Sequence, residues 1–181
     1  SWGAELGDVD DDGDLDAFVA NNGQGNKVWI NDGSGNFTDS GQSLGTSYSF
    51  DVSLGDVDND GDLDAFVTNT SNQADKVWIN DGNGSFTDSG QSLGASGSFV
   101  GVELGDVDDN GDLDAFVANV YKPNKVWLND GSGSLTDSGQ SLGASGSWEV
   151  SLGDVDDDGD LDAFVVNLEG NNKVWINDGS G

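Results

Sequence analysis

Apolar and polar positions alternate along much of this chain with the period of β-strands. In SFDVSLGDV (49–57), Phe50, Val52 and Leu54 alternate with Asp51, Ser53 and Gly55, which predicts a strand. DLDAFVAN (14–21) holds a short apolar run, and KVWIN (27–31) is rich in β-branched and aromatic residues, so each predicts another. Asp-Gly and Gly signals in NDGSGNF (31–37) predict a tight turn, and NFTDSGQSLG (36–45) a weaker, polar fourth strand. AFV and VWI place apolar side chains on both faces of the middle strands, so both faces need cover.

The same pattern returns four times. Asp8, Asp56, Asp106 and Asp154 open similar acidic stretches, at spacings of 48, 50 and 48 residues. Lys-Val-Trp recurs in step at Lys27, Lys76, Lys125 and Lys173, and TDSGQSLG at 38–45, 87–94 and 136–143. No linker separates the units, so residues 1–181 read as one repeat array, with units at approximately 1–48, 49–97, 98–146 and 147–181. Four strands per unit predict an all-β fold, a β-propeller of four tandem four-stranded blades. A β-solenoid is the rival, although its usual repeats are shorter. The last unit stops at INDGSG (176–181) without its TDSGQSLG strand and is expected to be an incomplete blade. Without methionine and opening on SWGAEL, the sequence reads as a mature chain or an excised piece.

Composition narrows the chemistry. The net charge is −30, from 35 acidic residues against five lysines. Nucleic acid is excluded as a partner because phosphate binding needs clustered Lys or Arg. The same charge argues against an anionic membrane surface, and no apolar run is long enough for membrane insertion. Six Trp, two Tyr and eight Phe in regular apolar runs oppose disorder. Absence of cysteine and histidine removes disulfides, thiol chemistry and the commonest general base.

The acidic stretches hold 22 of the 35 carboxylates. Counting from Asp8, carboxylates fall at positions 1, 3, 5 and 9 (Asp8, Asp10, Asp12 and Asp16), with Gly13 at position 6. Alternate side chains in a tight loop converge, the glycine permits the sharp turn, and the Asp14 carbonyl at position 7 points inward. That is the ligand pattern of a calcium loop, built from six to eight oxygens. Equivalent sets are Asp56, Asp58, Asp60, Asp62 and Asp64; Asp106, Asp108, Asn110, Asp112 and Asp114; and Asp154, Asp156, Asp158, Asp160 and Asp162. A single such stretch could be a solvated turn, but four in register do not follow from turn chemistry alone. About four calcium ions are expected, one per repeat. Position 12 is Val19, Val67, Val117 or Val165 instead of a bidentate Glu, and a strand follows, so an EF-hand is not expected. Asn110 removes one formal charge and should make the third site the weakest.

LGDVDDDGDLDAFVAN…KVWINDGSGNF resembles the FG-GAP/VCBS repeat, the calcium-binding blade of integrin α-subunit propellers and of many bacterial surface proteins. The resemblance covers nearly the whole chain. It implies that the calcium loop joins the first two strands of each blade on one face, with ligands meeting loops on the other. Propellers of that family commonly close with seven blades, whereas this chain has four units.

The loops between second and third strands differ: NNGQGN (21–26), NTSNQAD (69–75), NVYKPN (119–124) and NLEGNN (167–172). VYKP is the candidate contact for a protein or glycan ligand, though loops also drift without function. Trp29, Trp78, Trp127 and Trp175 are expected to pack between blades. Three sequons, at Asn36, Asn69 and Asn83, fall in predicted surface turns. The resulting expectation is a non-catalytic, extracellular or secreted calcium-binding module for adhesion, cell-surface or filament structure. A calcium-dependent lectin is the alternative. Self-association through the incomplete terminal blade is also expected, because an open strand edge recruits partners.

Overall fold

The computed structural model describes residues 1–94, 101–143 and 146–181. These contain strands but no helix, and hence no helix long and apolar enough to cross a membrane. The first antiparallel sheet comprises β1 (Gly3–Gly7), β2 (Asp16–Ala20), β3 (Lys27–Asn31) and β4 (Phe37–Asp39). The second comprises β5 (Ser49–Gly55), β6 (Asp64–Asn69), β7 (Lys76–Asn80) and β8 (Phe86–Asp88). The third comprises β9 (Val102–Gly105), β10 (Asp114–Val117), β11 (Lys125–Asn129) and β12 (Leu135–Asp137). The fourth has three strands, β13 (Ser147–Gly153), β14 (Asp162–Asn167) and β15 (Lys173–Trp175). Each is a meander in chain order. The architecture is all-β, and no closed barrel or ring is detected among the described residues. The expected boundary at 97/98 lies outside the described residues.

The outer strand is shorter than the expected segment at 36–45. It ends at Asp39, and beyond it the polar tail rejoins the sheet through the Ser40 N–H bond to the Val28 carbonyl at 3.0 Å and an isolated bridge, Asn26 to Leu44.

Register determines which side chains share a face. Leu6, Ala17 and Trp29 lie in one cross-strand row, and Glu5, Phe18 and Val28 in the next. Adjacent rows point to opposite faces. Phe18 and Val28 of the first sheet bury against Val52, Ala65, Trp78 and Phe86 of the second. Phe66 and Val77 meet Val102, Ala115, Trp127 and Leu135 in the same way, and Phe116 and Val126 meet Val150, Ala163 and Trp175. The core is therefore three copies of one sheet-to-sheet junction, and each large side chain buried in it contributes about 1.5–3 kcal/mol. Trp78, Trp127 and Trp175 pack between sheets as expected, whereas Trp29 lies on the outer face of the first sheet and packs in none of the three junctions.

The first strands of successive sheets lie side by side. Glycine makes the approach possible: a Cβ on Gly7 would stand 2.8 Å from Leu63 and 2.9 Å from Leu54. Carboxylates satisfy the open edges of these strands. Glu5 accepts the Leu54 N–H at 2.7 Å, Asp51 that of Val102 at 3.3 Å, and Glu103 that of Leu152 at 3.0 Å. Inward-facing charge on an otherwise unpaired edge also discourages foreign strands.

Candidate metal centres

Each acidic loop runs from the first to the second strand of its sheet. Position 1 folds it: Asp8 accepts the N–H groups of Asp12 at 3.2 Å and Gly13 at 2.9 Å. Position 5 then closes an Asx turn, Asp12 Oδ1 accepting the Asp14 N–H at 3.0 Å. Position 4 takes a left-handed backbone in all four loops, with φ of 58°, 60°, 58° and 63° at Asp11, Asn59, Asp109 and Asp157. Asp and Asn tolerate that region better than other side-chain-bearing residues. Gly13, at φ 94°, lies where almost only glycine fits.

Position 9 ties the loop to the sheet. Asp16 is fully buried; its Oδ2 accepts the Val9 N–H at 3.1 Å and its Oδ1 the Asn31 N–H at 2.8 Å. Asp64, Asp114 and Asp162 repeat both bonds. Their residue type was legible in the sequence, but not this second duty, because Asn31 and its counterparts lie 15 or 16 residues away.

The fold brings positions 1, 3 and 9 together in every loop. Ligand atoms lie within 4.8 Å of one another in Asp8–Asp10–Asp16, Asp56–Asp58–Asp64, Asp106–Asp108–Asp114 and Asp154–Asp156–Asp162. Positions 5 and 7 contribute no carboxylate to these groups. In the third and fourth loops the position 7 side chain turns instead toward the preceding loop: Asp112 accepts from Asn59 Nδ2 at 2.7 Å, and Asp160 faces Asp109, which raises its pKa. Asn110 keeps the Asx turn, its Oδ1 accepting the Asp112 N–H at 2.7 Å, but its second terminal atom is a donor that no cation accepts.

The residues fit a hard cation. Asp10 Oδ1 and Asp58 Oδ1 are buried without any hydrogen-bond partner, which is costly for a carboxylate unless a cation meets it. Burial, then the charges of Asp16 and Asp12, raise the Asp10 pKa. Burial is likewise the first cause at Asp58, Asp114 and Asp156, and it pushes Asp64 up to about 6. Four aspartate triads, one per sheet, can thus each hold a metal ion through hard oxygens, the donor type calcium takes.

The variable loops on the other side are each stapled by asparagine. Asn21 donates through Nδ2 to the Gly25 carbonyl at 3.0 Å, while its own N–H meets Asn26 Oδ1 at 2.9 Å. Asn119 and Asn167 do the same, and in the second sheet Asn69 pairs this way with Ala74 and Asp75. This corrects one expectation. Asn69 is buried, with its amide spent on Ser49 and Ala74, so that sequon is not a surface turn. Asn36 and Asn83 are exposed. The staple fixes the loop ends while leaving the intervening residues free to vary.

No significant match to a curated protein was found for the chain. The sequence model of the FG-GAP-like repeat matches three overlapping stretches, residues 8–67, 56–117 and 106–165, each running from one acidic loop through the next. With the repeated loop, sheet and junction, that match shows that the chain belongs to the FG-GAP-like repeat family.

Proposed function

We propose that this chain is a non-catalytic, calcium-stabilised repeat module that works outside the cell in adhesion or surface structure. The observation that carries the reading is the buried, unpartnered Oδ1 of Asp10 and of Asp58 inside their triads. In the first loop the ligands would be Asp8, Asp10, Asp12, the Asp14 carbonyl and Asp16, and the other loops would use the equivalent residues. Bound calcium supplies positive charge that holds the loop carboxylates together; the chain's own residues position them. Such sites, without a bidentate Glu, belong to the extracellular class, with dissociation constants of roughly 0.1–1 mM. In a chain without His or Cys catalysis would depend on carboxylates, and 22 of the 35 belong to these loops.

The four sheets are read as propeller blades. Supporting this are the side-by-side first strands and the 5.4 Å contact of Phe50 with Trp148, which links the second sheet to the fourth across the first-strand side. Ligand contact is assigned to the variable loops, where Tyr121 is 77% exposed beside Lys122.

A second reading, a calcium-dependent lectin, has one observation in its favour. A cavity of about 270 Å³ below the VYKP loop is lined by Trp127, Asp75, Asn119, Lys122 and Asp137. Aromatic faces beside polar groups suit a sugar. Calorimetric titration of the chelated protein with calcium tests the main reading, which about four binding events would support and none would end. A glycan array with and without EDTA separates the two readings.

A further inference from the structure

The two outer faces of the array are the two halves of the junction that the chain makes three times internally. Phe18, Phe66 and Phe116 are 0%, 0% and 3% exposed, each covered by the next sheet, whereas the equivalent Phe164 is 42% exposed. Val155, Val174 and Ile176 lie open beside it, where Val9 and Val28 are buried in the first junction. On the first sheet, Leu6 and Leu15 are 58% and 56% exposed, while their equivalents Leu54 and Leu63 pack into that junction. Phe37 is exposed where Phe86 is buried against Phe18.

Slots match as well as apolar area. Gly7, Gly55 and Gly105 each sit under two leucines of the following sheet, yet a Cβ on Gly153 would meet no atom within 4 Å. At every internal junction an asparagine amide reaches back to a loop valine carbonyl: Asn80 to Val9 at 2.8 Å, Asn129 to Val57 at 2.7 Å and Asn177 to Val107 at 2.6 Å. Val155 occupies the same place in the fourth loop, and Asn31 is the corresponding donor in the first sheet.

The first strands add a parity rule. Sheets one and three carry Gly-x-Glu (Gly3 with Glu5, Gly101 with Glu103), and sheets two and four carry an acid and a serine (Asp51 with Ser53, Glu149 with Ser151). The glycines leave room for the acids: a Cβ on Gly101 would come within 2.7 Å of Glu149. An even sheet followed by an odd one uses the Asp51 bond to the Val102 N–H. Glu149 is the equivalent acid of sheet four, and Ala4 of sheet one bears the equivalent N–H. Sheet four is therefore built to be followed by a sheet of the first kind.

We infer that the outer face of the fourth sheet docks the first sheet of a second copy of this chain, head to tail, reproducing the internal junction. Phe164 and Val174 then receive Leu6, Leu15 and Phe37, Glu149 accepts the partner's Ala4 N–H, and Val155 accepts from the partner's Asn31. Unlike faces meet, so repetition closes a ring if the rotation allows and otherwise gives an open filament. This association runs through sheet faces and is distinct from the strand-edge association expected from the sequence.

Complementary variants test this in calcium, by analytical ultracentrifugation. Phe164→Asp blocks the fourth-sheet face and Leu15→Asp the first-sheet face; both positions are exposed, and equal melting temperatures would confirm folding. Wild type should associate with rising concentration, each variant alone should stay monomeric, and their mixture should form one-to-one dimers held by a single intact junction. Monomeric wild type, variants that still self-associate, or a mixture that stays monomeric would each overturn the inference. Calcium binding by the monomeric variants, measured separately, keeps failure here distinct from failure of the calcium reading.

Discussion

Asn59 Nδ2 donates to Asp112 Oδ1 at 2.7 Å, fastening the second acidic loop to the third. The other two junctions place acids at these positions. Asp160 has its pKa raised first by its hydrogen bond to Asp109, and Asp62 first by burial and then by charges that include Asp11. An amide and a carboxylate bond without a proton, whereas two carboxylates must share one or repel. A raised folded pKa gives stability below the ordinary Asp range that is lost as pH rises through the raised value. Asp109→Asn should therefore raise the melting temperature in EDTA at neutral pH, and Asn59→Asp should lower it. The contacts are exposed, so shifts should not exceed a few degrees, and the Asp109→Asn gain should vanish at acidic pH. A gain independent of pH would contradict the shared-proton account.

The two kinds of ligand can be separated by their duties. Asp64 accepts the Val57 and Asn80 N–H groups, so Asp64→Ala should cost about 1–3 kcal/mol with or without calcium. Asp58 has a buried oxygen with no protein partner. Asp58→Asn should be neutral or stabilising in EDTA, yet forfeit the stabilisation that calcium gives that loop, about 2.7 kcal/mol at 100 times its dissociation constant. Urea denaturation in both conditions reads this directly. Equal losses in calcium and in EDTA would mean that Asp58 is structural and not a ligand.

The third site should bind calcium most weakly. Asn110 holds its turn at 2.7 Å as an aspartate would, so the difference is confined to one charge and one lost oxygen. Asn110→Asp should tighten this site several-fold at unchanged fold, while Asp12→Ala or Asp158→Ala should weaken its own. Calorimetry on chains with a single intact loop would rank them. A third loop that bound most tightly would refute the charge argument.

Asp75 is a buried carboxylate at a place where the other sheets carry asparagine, Asn26, Asn124 and Asn172. Burial pushes its pKa up to about 8, opposed by the bond from the Asn69 N–H. Its contribution to stability is complete below about pH 4 and is lost as pH rises through about 8. Asp75→Asn should keep the loop staple, stabilise the protein at pH 8 by at least about 1 kcal/mol, and flatten the pH profile. Stability measured from pH 4 to 9 decides it, and a destabilised variant at pH 8 would show that the charged form is favoured in place.

Gln140 has half of a clamp. Gln42 accepts the Phe86 N–H at 2.9 Å and donates to Gly84, and Gln91 does the same with Leu135 and Gly133. Gln140 donates to Gly181, beside a cavity of about 80 Å³ lined by Phe116, Val126 and Trp175. Extending the chain after Gly181 with a copy of residues 134–142 should seat a leucine there and raise the melting temperature. It covers the third sheet and not the fourth, so association through Phe164 should persist. An unchanged melting temperature would show that the added strand does not dock.

The sequence by itself determined the local chemistry: strand period, Asp-Gly turns, and a loop whose aspartates and glycine are set within ten residues. Asp8, Asp10 and Asp16 converge because the chain between them is too short to do otherwise once Asp8 binds the Gly13 N–H. Tertiary structure decided what depends on residues 20 or more positions apart. Asn69 matches a surface sequon locally but is buried against Ser49. Asp51 reads as an exposed strand residue, yet it bonds the Val102 N–H in the next sheet. Which face of each sheet is covered followed only from stacking, because AFV and VWI are apolar on both sides and cannot say which neighbour they meet. Phe18 and Phe164 sit in identical local sequence, and only the sheet packed against the first of them makes one core and leaves the other at the surface.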